Sequence, residues 1–372
     1  MSEELASERA MIDEVVGDQP ASWDIAGEIP IGLLRKLGAD GVLCAQVPAA
    51  FGGLGRSSLH NGELTAHVGS RCSSLRSIMT SQGMAAWTVQ RFGDRDQRRQ
   101  YLTELTSGQL AAIAFSEPSA GSDLSAMRTE IGTDGDSVVL DGKKMWVTGA
   151  RYADQLVVLG KHGDGASFLV VPTSAPGVLV ETVADPLGCR AAGHAHIRFD
   201  NVRLPASCLL GGGGQGMQLL FTTALCYGRF SVAWGCVGIV RACLAAATEH
   251  ARHRRQAGKP LADHQLIAGH LAELLVAEQV STRVCEHASR CWDSASPDMV
   301  IAAVLAKHVS AGHAARSGSI AVQVLASAGA QDGHAVARAY RDAKLMEIIE
   351  GSNEICQLIL AQHAMTIPPD RS

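Results

Sequence analysis

Glu350 stands where the apolar pair Ile348-Ile349 meets Gly351. A carboxylate in an apolar setting is pushed toward neutrality, which suits it to take a proton as a general base. A glutamate closing a helix is equally readable as a solvated residue, and spacing alone does not separate the two. The run Ser116-Glu-Pro-Ser-Ala-Gly-Ser-Asp123 follows an apolar strand-like stretch, residues 112–115. Its small residues let the backbone approach a planar or phosphate-bearing ligand, while its hydroxyls and loop N–H groups supply donors. Residues 211–216 spell G-x-G-x-x-G. A dinucleotide fingerprint needs a βαβ unit and a ribose-binding acid; the flanks supply neither, so this run reads as a flexible turn into a helix.

Other chemistry-bearing types are weaker. His194-Ala-His196 puts two imidazoles on one face of a strand, but no third ligand is spaced to help. They read as surface histidines, and no metal site is expected. Lys143-Lys144 and Arg252-His-Arg-Arg255 read as solvated basic clusters. Ten cysteines include no C-x-x-C pair and sit mostly in apolar helical runs. That usage predicts reduced thiols and a cytoplasmic protein.

The periodicity that must position these residues changes twice. Residues 1–110 read as helical, with apolar stripes at Leu33, Leu34 and Leu37, across 84–92 and across 97–105. Residues 111–212 read as short strands at 112–115, 137–140, 156–159, 168–171, 178–183 and 196–204, punctuated by Asp-Gly turns. Closely spaced strands without helices between them predict a compact antiparallel sandwich or barrel. Residues 213–372 return to helical spacing at 215–253, 263–292, 298–327, 334–349 and 353–365, with breaks at Pro297 and Gly333. The expected fold is mainly α with a central β domain, its last helices packed as a bundle.

Composition narrows the function. With 47% hydrophobic and 19% charged residues the 372-residue chain has ample core. A net charge of -5 argues against a general nucleic-acid binder. The most apolar stretch, 230–248, is broken by Arg241 and is short for a membrane span, so it reads as a buried helix. The acidic N-terminus shows no secretory pattern.

Longer motifs carry a resemblance. Ala114-Phe-Ser-Glu-Pro-Ser-Ala-Gly-Ser-Asp123, Gly142-Lys-Lys-Met-Trp-Val-Thr148, Arg229, Arg254-Arg-Gln-Ala-Gly258 with Pro260 and Gln265, Gln323-Val-Leu-Ala-Ser-Ala-Gly329 and Ile349-Glu-Gly-Ser-Asn353 occur in the order found in acyl-CoA dehydrogenases. The chain resembles that flavoprotein family from about residue 93 to 362. Two further segments, Cys72-Ser-Ser-Leu-Arg-Ser-Ile-Met-Thr-Ser-Gln-Gly-Met84 and Lys344-Leu-Met-Glu-Ile-Ile-Glu-Gly351, resemble the dehydrogenases of hydroxymalonyl/methoxymalonyl-ACP extender-unit assembly in polyketide pathways.

The resemblance implies FAD as cofactor, contacted by Phe115, Ser116, Gly121, Ser122, Trp146, Thr148 and Ser352, with Arg254 and Gln323 reaching flavin from opposite subunits of a homodimer or homotetramer. It implies Ser122, Arg229 and Gly351 at the substrate and Glu350 as the base. Some members place the base just before the arginine, which is Gly228 here. The implied substrate is a three-carbon glyceryl-derived thioester on an acyl carrier protein, oxidised from 2-hydroxy-3-oxopropionyl to hydroxymalonyl. The alternatives are desaturation of a small acyl-CoA and a catalytically weak carrier-binding scaffold. Departures from the family pattern are Phe115 for an aliphatic residue, Ala257 for Phe, Ala326-Ser327 for Gly-Gly, Ala330 for an aromatic residue, and Ala192 for Ser or Thr.

Overall fold

The computed structural model describes residues 2–367; residues 1 and 368–372, the outer ends of the first and last expected regions, lie outside the described residues. Six helices come first: α1 (Glu3–Val16), α2 (Pro20–Ala26), α3 (Ile31–Ala39), α4 (Ser58–Arg71), α5 (Ser73–Phe92) and α6 (Arg95–Thr106). Local chemistry sets their ends. Asp94 Oδ1 accepts from the N–H groups of Asp96 and Gln97, both at 2.9 Å, and Gln97 Oε1 accepts from Asp94 N at 2.9 Å. This reciprocal box starts α6 by satisfying donors that have no intrahelical partner. Helix α5 is buried on nearly every side, so its polar residues, Arg76, Ser77, Thr80 and Ser81 among them, lie inside the protein.

Seven strands follow: β1 (Ala111–Ala114), β2 (Glu130–Asp134), β3 (Ser137–Val147), β4 (Gln155–His162), β5 (Gly165–Pro172), β6 (Val178–Thr182) and β7 (Ala195–Pro205). They form one sheet in the order β1-β4-β2-β3-β7-β6, with β5 against β4. The sheet is mixed, which corrects the expectation of an antiparallel layer. β4 runs parallel to β1 along four residue pairs and meets β2 in parallel at Glu130 and Lys161. The β2–β3 excursion separates β1 from β4 in sequence, and parallel neighbours need such a long connection. β2 was not among the expected strands because only Ile131 of its five residues is buried, which leaves no alternating apolar signal. β3 extends to Val147 through a register shift between Lys144 and Val147 against β7. That irregularity re-aims Trp146, whose φ is +55°.

The C-terminal region consists of α7 (Met217–His253), a short hairpin of β8 (Arg255–Gln256) and β9 (Lys259–Pro260), then α8 (Gln265–Asp293), α9 (Met299–Leu325), α10 (Ala335–Met346) and α11 (Asn353–Ala364). Helix α7 is long and apolar enough to cross a membrane, yet most of its apolar window is buried inside the protein. It packs on α4, α5, α8, α9 and α10, as expected for residues 230–248. Helix α10 stops at Met346 rather than continuing to 349, so Glu350 occupies a turn and not a helix end. Two departures from the family pattern fall in the left-handed region: Ala257 at φ +48° and Ala326 at φ +52°. At 257 the two-residue hairpin turn, closed by Gly258 at φ +82°, requires it. All ten cysteines are free, and nine are buried.

Candidate active site

The first half of α5 and the ends of β1, β3 and α10 converge on a cavity of about 590 Å3. The β1 end and the loop after it contribute Phe115, Ser116 and Gly121, and the end of β3 contributes Trp146 and Thr148. One buried ion pair fixes these two segments together. Lys144 Nζ donates to Glu117 Oε1 at 2.8 Å and to the Phe115 carbonyl at 2.9 Å. Glu117 in turn accepts from Arg128 N at 2.6 Å and Thr129 N at 3.0 Å, closing the loop on itself. Burial pushes the Lys144 ammonium down to about 8, with Glu117 opposing. Burial works against the Glu117 carboxylate too, but its bonds to Lys144 and the two amides outweigh it and hold the carboxyl below its ordinary value. Lys144 is thus a structural cation and not the solvated residue expected. A second tie comes from Ser81 on α5. Its hydroxyl donates to the Thr148 carbonyl at 2.9 Å and accepts from Ile113 N at 3.3 Å.

Trp146 is 51% exposed, a large apolar surface left open at the cavity. Its ring packs edge-on against His194 and His196, with centroids 5.8 and 6.1 Å away. Its amide donates to His196 Nδ1 at 3.3 Å. The pair of histidines is therefore not simply superficial. His194 is buried, lines the cavity and places Nδ1 3.2 Å from Thr148 Oγ1.

Glu350, in the turn after α10, lines the same cavity. Its own φ is +55° and that of Gly351 is +86°, a left-handed pair that a non-glycine residue adopts only under constraint. The constraint is visible. Arg229 Nε donates to the Glu350 carbonyl at 3.0 Å, and Lys307 Nζ donates to the Gly351 carbonyl at 2.8 Å and the Glu347 carbonyl at 3.3 Å. Glu350 Oε2 is buried and has no hydrogen-bond partner. Burial pushes the carboxyl up to about 7, against the pull of Arg229, Lys307 and Arg76. Gly228 makes the space: a Cβ there would lie 2.3 Å from Glu350 Oε2. The two family positions for a base thus converge on one point, and here only residue 350 fills it.

Phe115, Ser116, Gly121, Trp146, Thr148 and Glu350 come together at this cavity. Arg229 and Gly351 do not line it: they lie behind Glu350, where Arg229 holds the turn instead of facing the cavity. Ser122 is exposed beside the loop. Ser352 caps α11, its Oγ accepting from Ile355 N at 3.4 Å. Arg254 and Gln323 are exposed, at the end of α7 and near the end of α9. The sequence reading assigned no site role to Arg76 or His194, both of which line the cavity. An arginine inside an apolar, small-residue stretch of α5 and a histidine next to a strand were the available signals.

This architecture and site define a class, an enzyme that removes a proton and a hydride from an acyl thioester. Family descriptions of the acyl-CoA dehydrogenase N-terminal, middle and C-terminal domains match residues 4–109, 112–202 and 214–365. The chain is 33% identical to a probable acyl-CoA dehydrogenase, YngJ, of Bacillus subtilis, over 98% of this chain and 100% of that one. It is 31% identical to the human mitochondrial short-chain specific acyl-CoA dehydrogenase, over 90% and 83% of the two chains. Among solved structures, FkbI, described as acting in biosynthesis of the methoxymalonyl extender unit of the polyketide FK520, superposes with a TM-score of 0.93 at 60% identity, covering 97% of this chain and all of its own. The chain belongs to the acyl-CoA dehydrogenase family, FAD-dependent oxidoreductases that act on acyl thioesters.

Proposed function

We propose that this protein oxidises a three-carbon, glyceryl-derived acyl group carried on an acyl carrier protein, converting 2-hydroxy-3-oxopropionyl to hydroxymalonyl thioester for polyketide extension. The observation that carries the reading is the 60% identity to FkbI over nearly the whole of both chains, combined with the buried, unpartnered carboxyl of Glu350. Ser116 and Thr148 place hydroxyls on the cavity, and the half-exposed Trp146 adds an aromatic surface. These groups fit a flat, hydrogen-bonding ring such as the isoalloxazine of FAD. Bound FAD would supply the two-electron acceptor.

The chain's own residues then do the following. Glu350 Oε2, unpartnered and near neutrality, takes the proton. With an aldehyde hydrate at C3, that is a hydroxyl proton, and C3 rises to the carboxyl level. Arg229 and Lys307 hold the turn so that the carboxylate stays aimed. Arg254 and Gln323, exposed on one chain, would complete the cofactor site of a neighbouring copy in a homo-oligomer. Exposed apolar side chains on α8, Leu266, Leu275 and Val276 among them, support burial between copies. Ten free thiols suit a reducing cytoplasm.

A second reading, desaturation of a small acyl-CoA, is favoured by identity to the YngJ and short-chain enzymes. Incubating the FAD-loaded protein with 2-hydroxy-3-oxopropionyl-ACP and with propionyl- and butyryl-CoA, followed by intact mass spectrometry, decides between them. A gain of one oxygen on the carrier-bound group, relative to the aldehyde, is expected. Loss of two hydrogens from the acyl-CoA, with the carrier substrate untouched, would overturn the proposal.

A further inference from the structure

Helix α6 opens with charge of the wrong sign for a helix start. Arg95 is its first residue, and Arg98 and Arg99 follow three and four positions later, so the three share one face. The N-terminus of a helix is the positive end of its dipole, and like charges at these spacings repel, so both effects oppose the arrangement. Arg91 precedes them near the end of α5. Arg35, Arg56, Arg241 and Arg341, by contrast, each meet a carboxylate. Among the described residues, Arg91, Arg95, Arg98 and Arg99 make no salt bridge, and Arg98 Nε is buried with no acceptor. Asp94 is engaged in capping α6, and Asp96 pairs with none of the four.

Arg95, Arg98 and Arg99 surround an open pocket of about 410 Å3 whose other wall is Ala50-Phe51. Thr106 Oγ1 holds that wall to α6 by donating to the Phe51 carbonyl at 2.7 Å. The patch is tied to the wall of the acyl cavity. Phe92, between Arg91 and Arg95 in sequence, has its ring centroid 5.8 Å from that of Phe168, which lies 5.9 Å from that of Phe115, a cavity residue. The Arg91 guanidinium is 5.4 Å from the Trp87 ring centroid, and Trp87 Nε1 donates to the Thr223 carbonyl of α7 at 3.2 Å. Two ring contacts therefore separate this corner from the cavity wall.

We infer that Arg91, Arg95, Arg98 and Arg99 form a docking surface for an acidic face of the carrier protein that delivers the acyl group, an assignment that rests on the carrier-bound reading of the substrate and adds where the carrier sits. Carboxylates pair with guanidinium groups through charge-assisted, fork-shaped hydrogen bonds. A free anion would meet one or two of these side chains, since they are spread over two helices. A protein face bearing several carboxylates meets all four and covers the half-buried Phe51 between them. Arginine and aromatic residues are the types that protein interfaces concentrate. The unpaired cations, in a chain of net charge -5, would also steer a negatively charged partner to this corner.

The test measures binding of the carrier protein, bearing unacylated phosphopantetheine, to the FAD-loaded enzyme by fluorescence anisotropy at about 20 mM and about 300 mM NaCl. The parent should bind at low salt and lose at least about 10-fold in affinity at high salt. Arg95→Glu combined with Arg99→Glu alters two exposed side chains that make no hydrogen bond within the chain. The double variant should bind at least about 10-fold more weakly at low salt and lose most of the salt dependence. It should unfold no earlier than the parent, because glutamate at a helix start relieves both oppositions. KM for the carrier-bound thioester should rise by a similar factor, while turnover of the same acyl group on free pantetheine stays within about twofold. Absence of low-salt binding by the parent, or binding that the double variant leaves intact, would overturn the docking surface. Equal loss on the pantetheine thioester would overturn it too, since no carrier contact acts there. If the parent binds the carrier as expected and oxidises neither thioester, the substrate reading falls and the docking surface stands.

Discussion

Replacing Glu350 with Gln keeps size and hydrogen-bonding capacity and removes the proton acceptor. Two effects of known sign follow from the geometry. Losing a positioned general base costs about 10²- to 10⁴-fold in rate, so flavin reduction by the acyl thioester should slow by that factor while the protein stays yellow. The second effect is on stability. Burial holds the carboxyl at about 7 instead of its ordinary 4.5. The folded protein therefore binds this proton more tightly than the unfolded chain does. The resulting stabilisation is fully present below pH 4.5 and is lost as pH rises through 7. At pH 8.5 the ionised, partnerless carboxylate costs up to about 3 kcal/mol, a cost the neutral amide does not incur. Glu350→Gln should thus be more resistant to urea than the parent at pH 8.5, the advantage vanishing near pH 4.5. The assay pairs rapid-mixing flavin bleaching from pH 5.5 to 8.5 with urea titrations at saturating FAD. The parent rate should climb with one ionisation near 7. A variant that bleaches at the parent rate, or one that gains nothing in urea at high pH, would refute the reasoning.

Three further outcomes follow. Gly228→Ala places a methyl 2.3 Å from Glu350 Oε2; the carboxylate must swing away, so turnover should fall at least 10-fold and the pH–rate inflection should move toward the ordinary carboxylate value. Lys144→Met leaves Glu117 buried and unpaired, which should cost about 3–5 kcal/mol in denaturant titrations and loosen FAD retention through the loop from 116 to 128. Arg254→Ala, exposed on the single chain, should leave the unfolding midpoint of the apoprotein unchanged and weaken FAD retention in gel filtration, whereas unaltered retention would argue against a contact from this residue.

What the sequence disclosed and what it withheld have different physical origins. Helices carrying an apolar stripe were legible because their period follows from one buried face, and α7, α8, α9 and α11 lie within about two residues of the expected spans. β2 was hidden because just one of its side chains is buried. The parallel β1–β4 pairing was hidden because pairing partners are a long-range property that short runs do not encode. At the site, Glu350, Thr148 and Trp146 were recoverable from motif resemblance. Arg76, His194 and Lys144 were not, since charged and imidazole side chains are solvated by default and only the surrounding packing makes them internal. The end of α10 was misjudged for a related reason. Ile348-Ile349 continues the apolar pattern, but cations beneath the turn bind its carbonyls and force the chain into the left-handed region at 350 and 351.

Those cations also account for an imbalance around the base. Arg76, Arg229 and Lys307 are buried near Glu350, and among the described residues none of the three forms a salt bridge with a carboxylate. All three favour the ionised form of Glu350, yet desolvation prevails and the carboxyl stays near 7. A site built only to keep its base ionised would add a hydrogen bond to Oε2, which is instead left bare. The arrangement makes sense if the positive field serves charge that arises during the reaction. Removing a proton from a bound acyl thioester leaves negative charge on the substrate, and fixed cations stabilise that charge without reorganising. Once Glu350 has accepted the proton it becomes neutral, the form its buried setting favours. Of the three cations, Arg76 lines the cavity, while the charges of Arg229 and Lys307 act from behind the turn. Desolvation and the buried cations thus oppose each other at the resting carboxylate, but they support successive halves of the transfer: desolvation favours the proton on Glu350, and the positive field favours the charge left on the acyl group.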